Sequence, residues 1–305
     1  MGNELIYKLN KLGQFFNLEK VATQKVDQSY IEVYYWINKI PYSLFHNKKG
    51  FVHMGVSVDG IYKEEDLFYQ VKMIDKAVKS AGAQKVLEIA TGRGGNATWL
   101  ASANPHVDFI GLDISESQLT FARKKAFRLN NYTVLAGDFH DLSSFEPESF
   151  DVVFIIEALC HSSDTKKVLK EVLRILKKGG LFSIYDGYRE KQDEQMSKEE
   201  LLAARLLEVG VAVEHFELHS EFLDSAKQVG FTVENIGDLS DLVLPTMQRF
   251  EKQAGRFLKL GSIARFLMKL VPNKFVYNIL SGYLFTTLIR ERVFSYKYTL
   301  LKKLL

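Results

Sequence analysis

Eleven residues, Val86 to Asn96, read V-L-E-I-A-T-G-R-G-G-N and pass from an apolar run through a glycine turn into a helical pattern. Gly92 and Gly94 let the backbone approach a ligand closely, and a helix N-terminus presents N–H groups that have no intrahelical partner. The same geometry serves a dinucleotide pyrophosphate, so the neighbouring residues decide what the loop holds. Asp113 closes the next apolar run, in G-L-D, about 20 residues after the loop, where a carboxylate can accept from both hydroxyls of a ribose. Asp138 closes the third run, in G-D-F. It is placed to accept from an adenine amino group, with Phe139 beside it to pack on the purine. Glu88 lies under the loop; a carboxylate there repels a pyrophosphate but suits the cationic amino acid end of S-adenosylmethionine. Any one of these acids alone reads as a helix cap or turn residue. Three of them at consecutive strand ends, with a glycine loop, read as a cofactor site.

The elements that position these residues follow from periodicity. Lys85–Ala90, Val107–Leu112, Tyr132–Ala136, Phe150–Ile156 and Leu181–Tyr185 are short, nearly continuous apolar runs and predict strands. Between them Gly94–Ser102, Ser115–Leu129 and Thr165–Leu176 predict helices, the last closed by Lys177, Lys178 and Gly179. Strands alternating with helices of this length imply a doubly wound α/β fold with a mostly parallel sheet covered on both faces. Lys191–Val209 and Ser220–Val229 are helical, and Phe231–Ile236 is a sixth strand. Phe294–Leu300 alternates with period two and predicts a terminal strand. If that seventh strand runs antiparallel, everything in Gly237–Arg292 projects over the edge where open α/β sheets bind ligands. Four segments result: a helical N-terminal cap over residues 1–80, a cofactor-binding core over 81–240, a helical acceptor-binding insertion over 241–290, and the last strand over 291–305.

This arrangement resembles the class I S-adenosylmethionine-dependent methyltransferases over about Gln84–Tyr188. It narrows at Phe150–Ser162, F-D-V-V-F-I-I-E-A-L-C-H-S, which looks like the sterol 24-C-methyltransferase and small-molecule methyltransferase group. G-D-F at Gly137–Phe139 and L-K-K-G-G-L-F-S-I-Y-D at Leu176–Asp186 fit the same group. The resemblance implies a seven-stranded sheet and S-adenosylmethionine as cofactor, contacted by Glu88, Ala90, Gly92, Gly94, Asn96, Asp113, Ile114, Gln118, Asp138, Phe139 and Glu157. It places Glu157 and His161 near the reacting methyl. Ala90 stands where that family usually has its first glycine, and Glu88 where Asp is common. The aromatic Y-E-Y-G-W-G-type segment of sterol enzymes is absent; Phe45–Gly55, F-H-N-K-K-G-F-V-H-M-G, is instead similar to tocopherol- and glycine-type methyltransferases.

Methyl transfer from a sulfonium needs proximity and orientation, and a general base when the acceptor loses a proton. His161 is the first candidate, just past a strand end; the alternative is a cap on the Thr165 helix. Glu157 serves the cofactor side or a developing cation, and His53 is the third candidate. Cys160 reads as a small core residue. Nothing in the pattern calls for a metal.

Composition limits the partners. The 305 residues are 47% apolar, enough to bury a large core. One cysteine fits a reducing, cytoplasmic setting. The longest uncharged stretch, Phe275–Ile289, is shorter than the roughly 20 apolar residues that cross a bilayer. Net charge is +3, yet Pro245–Leu305 holds twelve Lys/Arg against two acids. That basic segment, with Arg249, Lys252, Arg256 and Lys259 in a stripe and Leu260, Ile263, Leu267 and Leu270 at helical spacing, reads as a solvated face or as peripheral contact with an anionic membrane through 245–275. The acceptor is expected to be small and hydrophobic, lipid- or isoprenoid-like. A nucleic acid is not expected, because no Asn/Asp-Pro-Pro-aromatic run follows the fourth strand. A nicotinamide-dependent oxidoreductase and a non-catalytic membrane-associated protein with a relict cofactor fold stand as alternatives.

Overall fold

The computed structural model describes residues 2–41 and 49–304, with side chains over 2–38 and 49–304. Tyr42, Phe45 and the start of the Phe45–Gly55 run lie outside the described residues. Three helices open the chain: α1 (Gly2–Gly13), α2 (Leu18–Ala22) and α3 (Gln28–Pro41). After an irregular stretch come α4 (Tyr69–Ser80), β1 (Lys85–Ile89), α5 (Gly95–Ala103), β2 (Asp108–Asp113), α6 (Glu116–Ala126) and β3 (Tyr132–Ala136). Then follow β4 (Phe150–Ile156), α7 (Thr165–Ile175), β5 (Leu176–Arg189), α8 (Lys198–Val211), α9 (His219–Val229) and β6 (Phe231–Asp238). The last part is α10 (Ser240–Leu258), α11 (Ser262–Met268), α12 (Asn273–Val276), α13 (Asn278–Arg290) and β7 (Phe294–Lys303).

The strands form one sheet in the order β3-β2-β1-β4-β5-β7-β6. Neighbours from β3 to β5 are parallel, and β7 is antiparallel to both β5 and β6. Side-chain alternation divides the core in two. Val86, Phe109, Val152 and Phe154 face α4, α5 and the helices of the insertion. Leu87, Ile89, Val153 and Ile155 face α7 and α9. Both sides are dry, which explains why the central strands read as unbroken apolar runs.

Two expectations needed correction. Lys177, Lys178 and Gly179 do not close a helix. The helix stops at Ile175, β5 starts at Leu176, and the register shifts between Phe150↔Leu176 and Val152↔Leu181. Gly179, at φ 76°, takes the turn inside that irregularity. The helical spacing of Leu260, Ile263, Leu267 and Leu270 does not mark a core-facing side. Gly261, at φ 59°, breaks the helical run after Leu258, and Leu260, Ile263, Leu267 and Leu270 are 40–66% exposed instead of packed.

Because β7 lies between β5 and β6, the chain from Asp238 to Phe294 leaves and re-enters the sheet at one edge. Helices α10–α13 therefore stand over the C-terminal ends of the parallel strands. The N-terminal helices close on them: buried Lys8 of α1 donates to Thr287 Oγ1 of α13 at 2.7 Å and pairs with Glu251 of α10 at 2.7 Å.

A buried charge pair anchors α8. Glu208 is fully buried; its Oε1 takes Arg189 Nη2 at 2.9 Å and the Phe216 N–H at 3.0 Å, and its Oε2 takes Arg205 at 3.2 Å. Replacing Arg189 with Met removes the one buried cation from the Glu208 carboxylate and leaves it the Phe216 N–H, the partly exposed Arg205 and the exposed His215 at 3.7 Å. Arg189→Met should cost about 3 kcal/mol, read by urea unfolding, near the lower end for breaking a buried pair. A loss under about 1 kcal/mol would mean the pair is dispensable.

Candidate active site

The cofactor loop begins where β1 ends. Ala90 adopts φ 58° and Gly92 φ 54°, turning the chain sharply before α5. A side chain on Gly94, at φ 70°, would meet Tyr132 Oη at 2.8 Å and Ala122 at 3.0 Å. A Cβ on Gly92 would meet nothing within 4 Å. The loop is thus tight against its own domain on one side and open on the other, where a ligand can lie against the backbone.

Glu88 is buried beneath it. Its carboxylate accepts from Thr91 Oγ1 at 2.5 Å, Asn96 Nδ2 at 2.9 Å and the Ala97 N–H at 3.3 Å. Burial outweighs those bonds and pushes its pKa up to about 7. Asn96 Oδ1 in turn accepts from His53 Nε2 at 3.0 Å. His53 is buried, burial holds it below its ordinary value, and its Nδ1 lies 3.1 Å from Met54 O. It sits behind the glycine loop and, through Asn96, ties the N-terminal segment to Glu88.

Asp113, at the end of β2, accepts the Gly92 N–H at 2.7 Å and the Ser115 N–H at 2.7 Å, fixing the loop against the next crossover. Burial raises its pKa. Ile114 beside it is 53% exposed, an apolar ledge at a strand end. Gln118 Oε1 is buried with no partner. Past β3, Asp138 Oδ1 accepts from His140 Nδ1 at 2.7 Å, and His140 Nε2 lies 2.8 Å from Ser162 Oγ. Phe139 and His140 pack ring against ring, their centroids 4.6 Å apart. An open glycine turn, an orphaned amide oxygen, an apolar ledge and three carboxylates at successive strand ends fit an adenosyl cofactor with a cationic tail.

Beside this row lies an apolar chamber of about 830 Å³. Tyr34 and Tyr35 of α3, Phe250 and Phe257 of α10, and Phe275 and Phe285 line it, and its floor is the sheet edge with Glu157, Asp186 and Tyr296. Lining residues among the described ones include no Lys or Arg. Glu157 follows β4 at φ 50°, a conformation that costs a non-glycine residue energy and aims its side chain at the chamber. Oε1 accepts the Met54 N–H at 2.7 Å, and Tyr296 Oη donates to the same carboxylate. Burial, with Asp186 nearby, pushes Glu157 up to about 8. Asp186 is pushed up to about 6 by burial while accepting the Cys160 and Gly187 N–H groups.

His161 also lines the chamber. Its Nδ1–H donates to Ala212 O at 2.9 Å, since a carbonyl can only accept; Nε2 then accepts from Tyr35 Oη at 2.8 Å. Burial lowers it to about 4. Its lone pair is occupied and its basicity is low. Cys160 lies in the chamber wall with its thiol pushed up by burial.

Reading the sequence had not singled out Asp186, Tyr296, Gln70 or His140 as site residues. Asp186 ends the I-Y-D run quoted above and carried a signal. Tyr296 reaches the site only through the β5–β7 register, which sets it opposite Gly187. Gln70, which donates to Met54 O at 2.7 Å and Tyr296 Oη at 3.2 Å, has no local signature.

Residues 80–230 match a family model described as a methyltransferase domain. A sterol 24-C-methyltransferase of Candida albicans is 30% identical over 161 residues, 52% of this chain and 42% of that protein, so the chain spans less than half of it. A cyclopropane synthase of Mycobacterium tuberculosis has a similar fold, with a TM-score of 0.70 at 17% identity over 90% of this chain and 97% of that one. A geranyl diphosphate C-methyltransferase of Streptomyces coelicolor, solved with Mg2+, geranyl diphosphate and S-adenosyl-L-homocysteine, gives a TM-score of 0.61 at 18% identity over 91% and 97%.

Proposed function

For a chain that carries a methyltransferase domain on the class I fold, we propose transfer of a methyl group from S-adenosylmethionine to a carbon of an uncharged, hydrophobic, lipid- or isoprenoid-like acceptor. The carrying observation is the aromatic chamber of about 830 Å³ whose floor holds a carboxylate, Glu157, beside the cofactor row. That volume lies in the upper part of the roughly 300–1,000 Å³ usual for small-molecule sites. The lack of Lys and Arg in the described lining argues against a diphosphate on the acceptor, in contrast to the geranyl diphosphate bound by the Streptomyces enzyme. The matches lend no support to the nicotinamide or relict readings.

S-adenosylmethionine on the β1–α5 loop would supply a methyl carried on cationic sulfur. The chain's part is to place an acceptor double bond in line with it and exclude water. With the cofactor bound, the acceptor's π pair would form the new carbon–carbon bond as the C–S pair leaves with sulfur, so that positive charge would pass to the acceptor. Tyr and Phe ring faces and the Glu157 carboxylate hold that charge. Loss of a neighbouring proton to Glu157 restores a neutral alkene. Carbon is favoured over oxygen because His161, lowered to about 4 with Nε2 taken by Tyr35, is a poor base for a hydroxyl.

The test is incubation with methyl-labelled cofactor and a panel of sterols, neutral polyprenoids and geranyl diphosphate. Label should enter a neutral lipid and stay there through mild acid and base. Label entering geranyl diphosphate alone, or only the oxygen of a hydroxyl, would overturn the reading.

A further inference from the structure

The broken helix after Leu258 leaves a surface that the fold does not use. Leu260, Ile263, Phe266, Leu267, Leu270 and Val271 are 38–66% exposed within twelve consecutive residues. Ile263, Phe266, Leu267 and Leu270 fall at helical spacing, so α11 and the turn after it turn one apolar face outward. On α10 and in the residues that follow it, Lys252, Arg256, Lys259 and Lys269 are exposed, and among the described residues none of them has an ion pair. The acid of this segment, Glu251, is bound by Lys8. Leu267, Leu270 and Val271 also line the chamber.

An apolar face flanked in sequence by uncompensated cations is complementary to a bilayer carrying anionic headgroups, where the cations meet phosphate and the apolar side chains enter the acyl boundary. We infer that Leu260–Val271 docks on an anionic lipid surface and is the port through which a bilayer-dissolved acceptor enters the chamber. The port rests on the proposed acceptor class; the docking does not.

The experiment is flotation of the full chain with vesicles of phosphatidylcholine alone and of phosphatidylcholine with phosphatidylglycerol in a three-to-one ratio. Binding should favour the anionic vesicles by at least tenfold and fall with added salt. Arg256→Glu with Lys259→Glu should weaken it about fivefold or more per residue. Ile263→Ser with Phe266→Ser, both outside the chamber lining, should weaken it at least tenfold with an unchanged thermal midpoint. Equal binding to the two vesicle types, or a wild-type dimer that these serines turn into a non-binding monomer, would overturn the proposal; the dimer would assign the face to a second copy of the chain. Vesicle binding requires no turnover. A chain that floats with anionic vesicles but binds no S-adenosylmethionine would sink the methyl-transfer reading and leave the docking standing.

Discussion

Glu157→Gln is expected to lower turnover by roughly 10²–10³-fold, the scale seen when one preorganised electrostatic group is removed from a developing charge. The amide keeps the size of the side chain and an oxygen for the Met54 N–H, so the fold and the chamber should survive. What disappears is the negative charge that faces the acceptor cation and the base that takes its proton. The same variant should remove a pH signature. Burial holds Glu157 at about 8 without a cation beside it, so the carboxyl is largely protonated at neutral pH. A sulfonium beside it favours the carboxylate, so binding of the charged cofactor releases a proton. Affinity for S-adenosylmethionine should therefore rise with pH and level off above about 8. S-adenosylhomocysteine, without the sulfonium charge, should rise less. Calorimetry of both ligands checks this: the difference in slope is present in the wild type and absent in the Gln variant. Parallel titrations in the wild type would mean that Glu157 does not face the sulfur.

The second large effect concerns the other end of the cofactor. Asp113→Ala should weaken S-adenosylmethionine binding about 10²-fold, since charge-assisted hydrogen bonds are each worth about 1.5–3 kcal/mol. The change also strips the Gly92 and Ser115 N–H groups of their acceptor. Loop order and ligand contact would then be lost together. Asp113→Asn separates them: it restores an acceptor for one N–H but carries no charge, and about tenfold weaker binding is expected. If both variants bind as well as wild type, the ribose does not lie on Asp113.

The parallel half of the sheet was legible because burial on both faces writes strands as unbroken apolar runs, set apart by amphipathic helices of ordinary length. Asp113 and Asp138 stood out as candidates because each closes an apolar run, and Glu88 because it interrupts one. The insertion was not. Its apolar residues keep helical spacing whether they face a core, a chamber or the outside, so the periodicity of Leu260–Leu270 could not tell burial from exposure. Tyr296 and Gln70 were hidden because their roles depend on register and on a contact 226 residues apart in sequence. His161 was legible as a residue near the site. Its surroundings, the Ala212 carbonyl and Tyr35, come from distant segments, and these set its basicity.

The placing of β7 between β5 and β6 has a consequence for how such a protein can change over generations. The candidate cofactor carboxylates sit on β1, β2 and the turn after β3, whereas most of the chamber wall belongs to the span from Asp238 to Phe294, which joins the strands of the sheet only at its two ends. That span can lengthen, shorten or exchange its aromatic residues without altering any strand register or touching Asp113. A lineage can thus try new acceptors while its cofactor chemistry stays intact, and the cost of a failed trial falls on one loop of helices instead of on the fold.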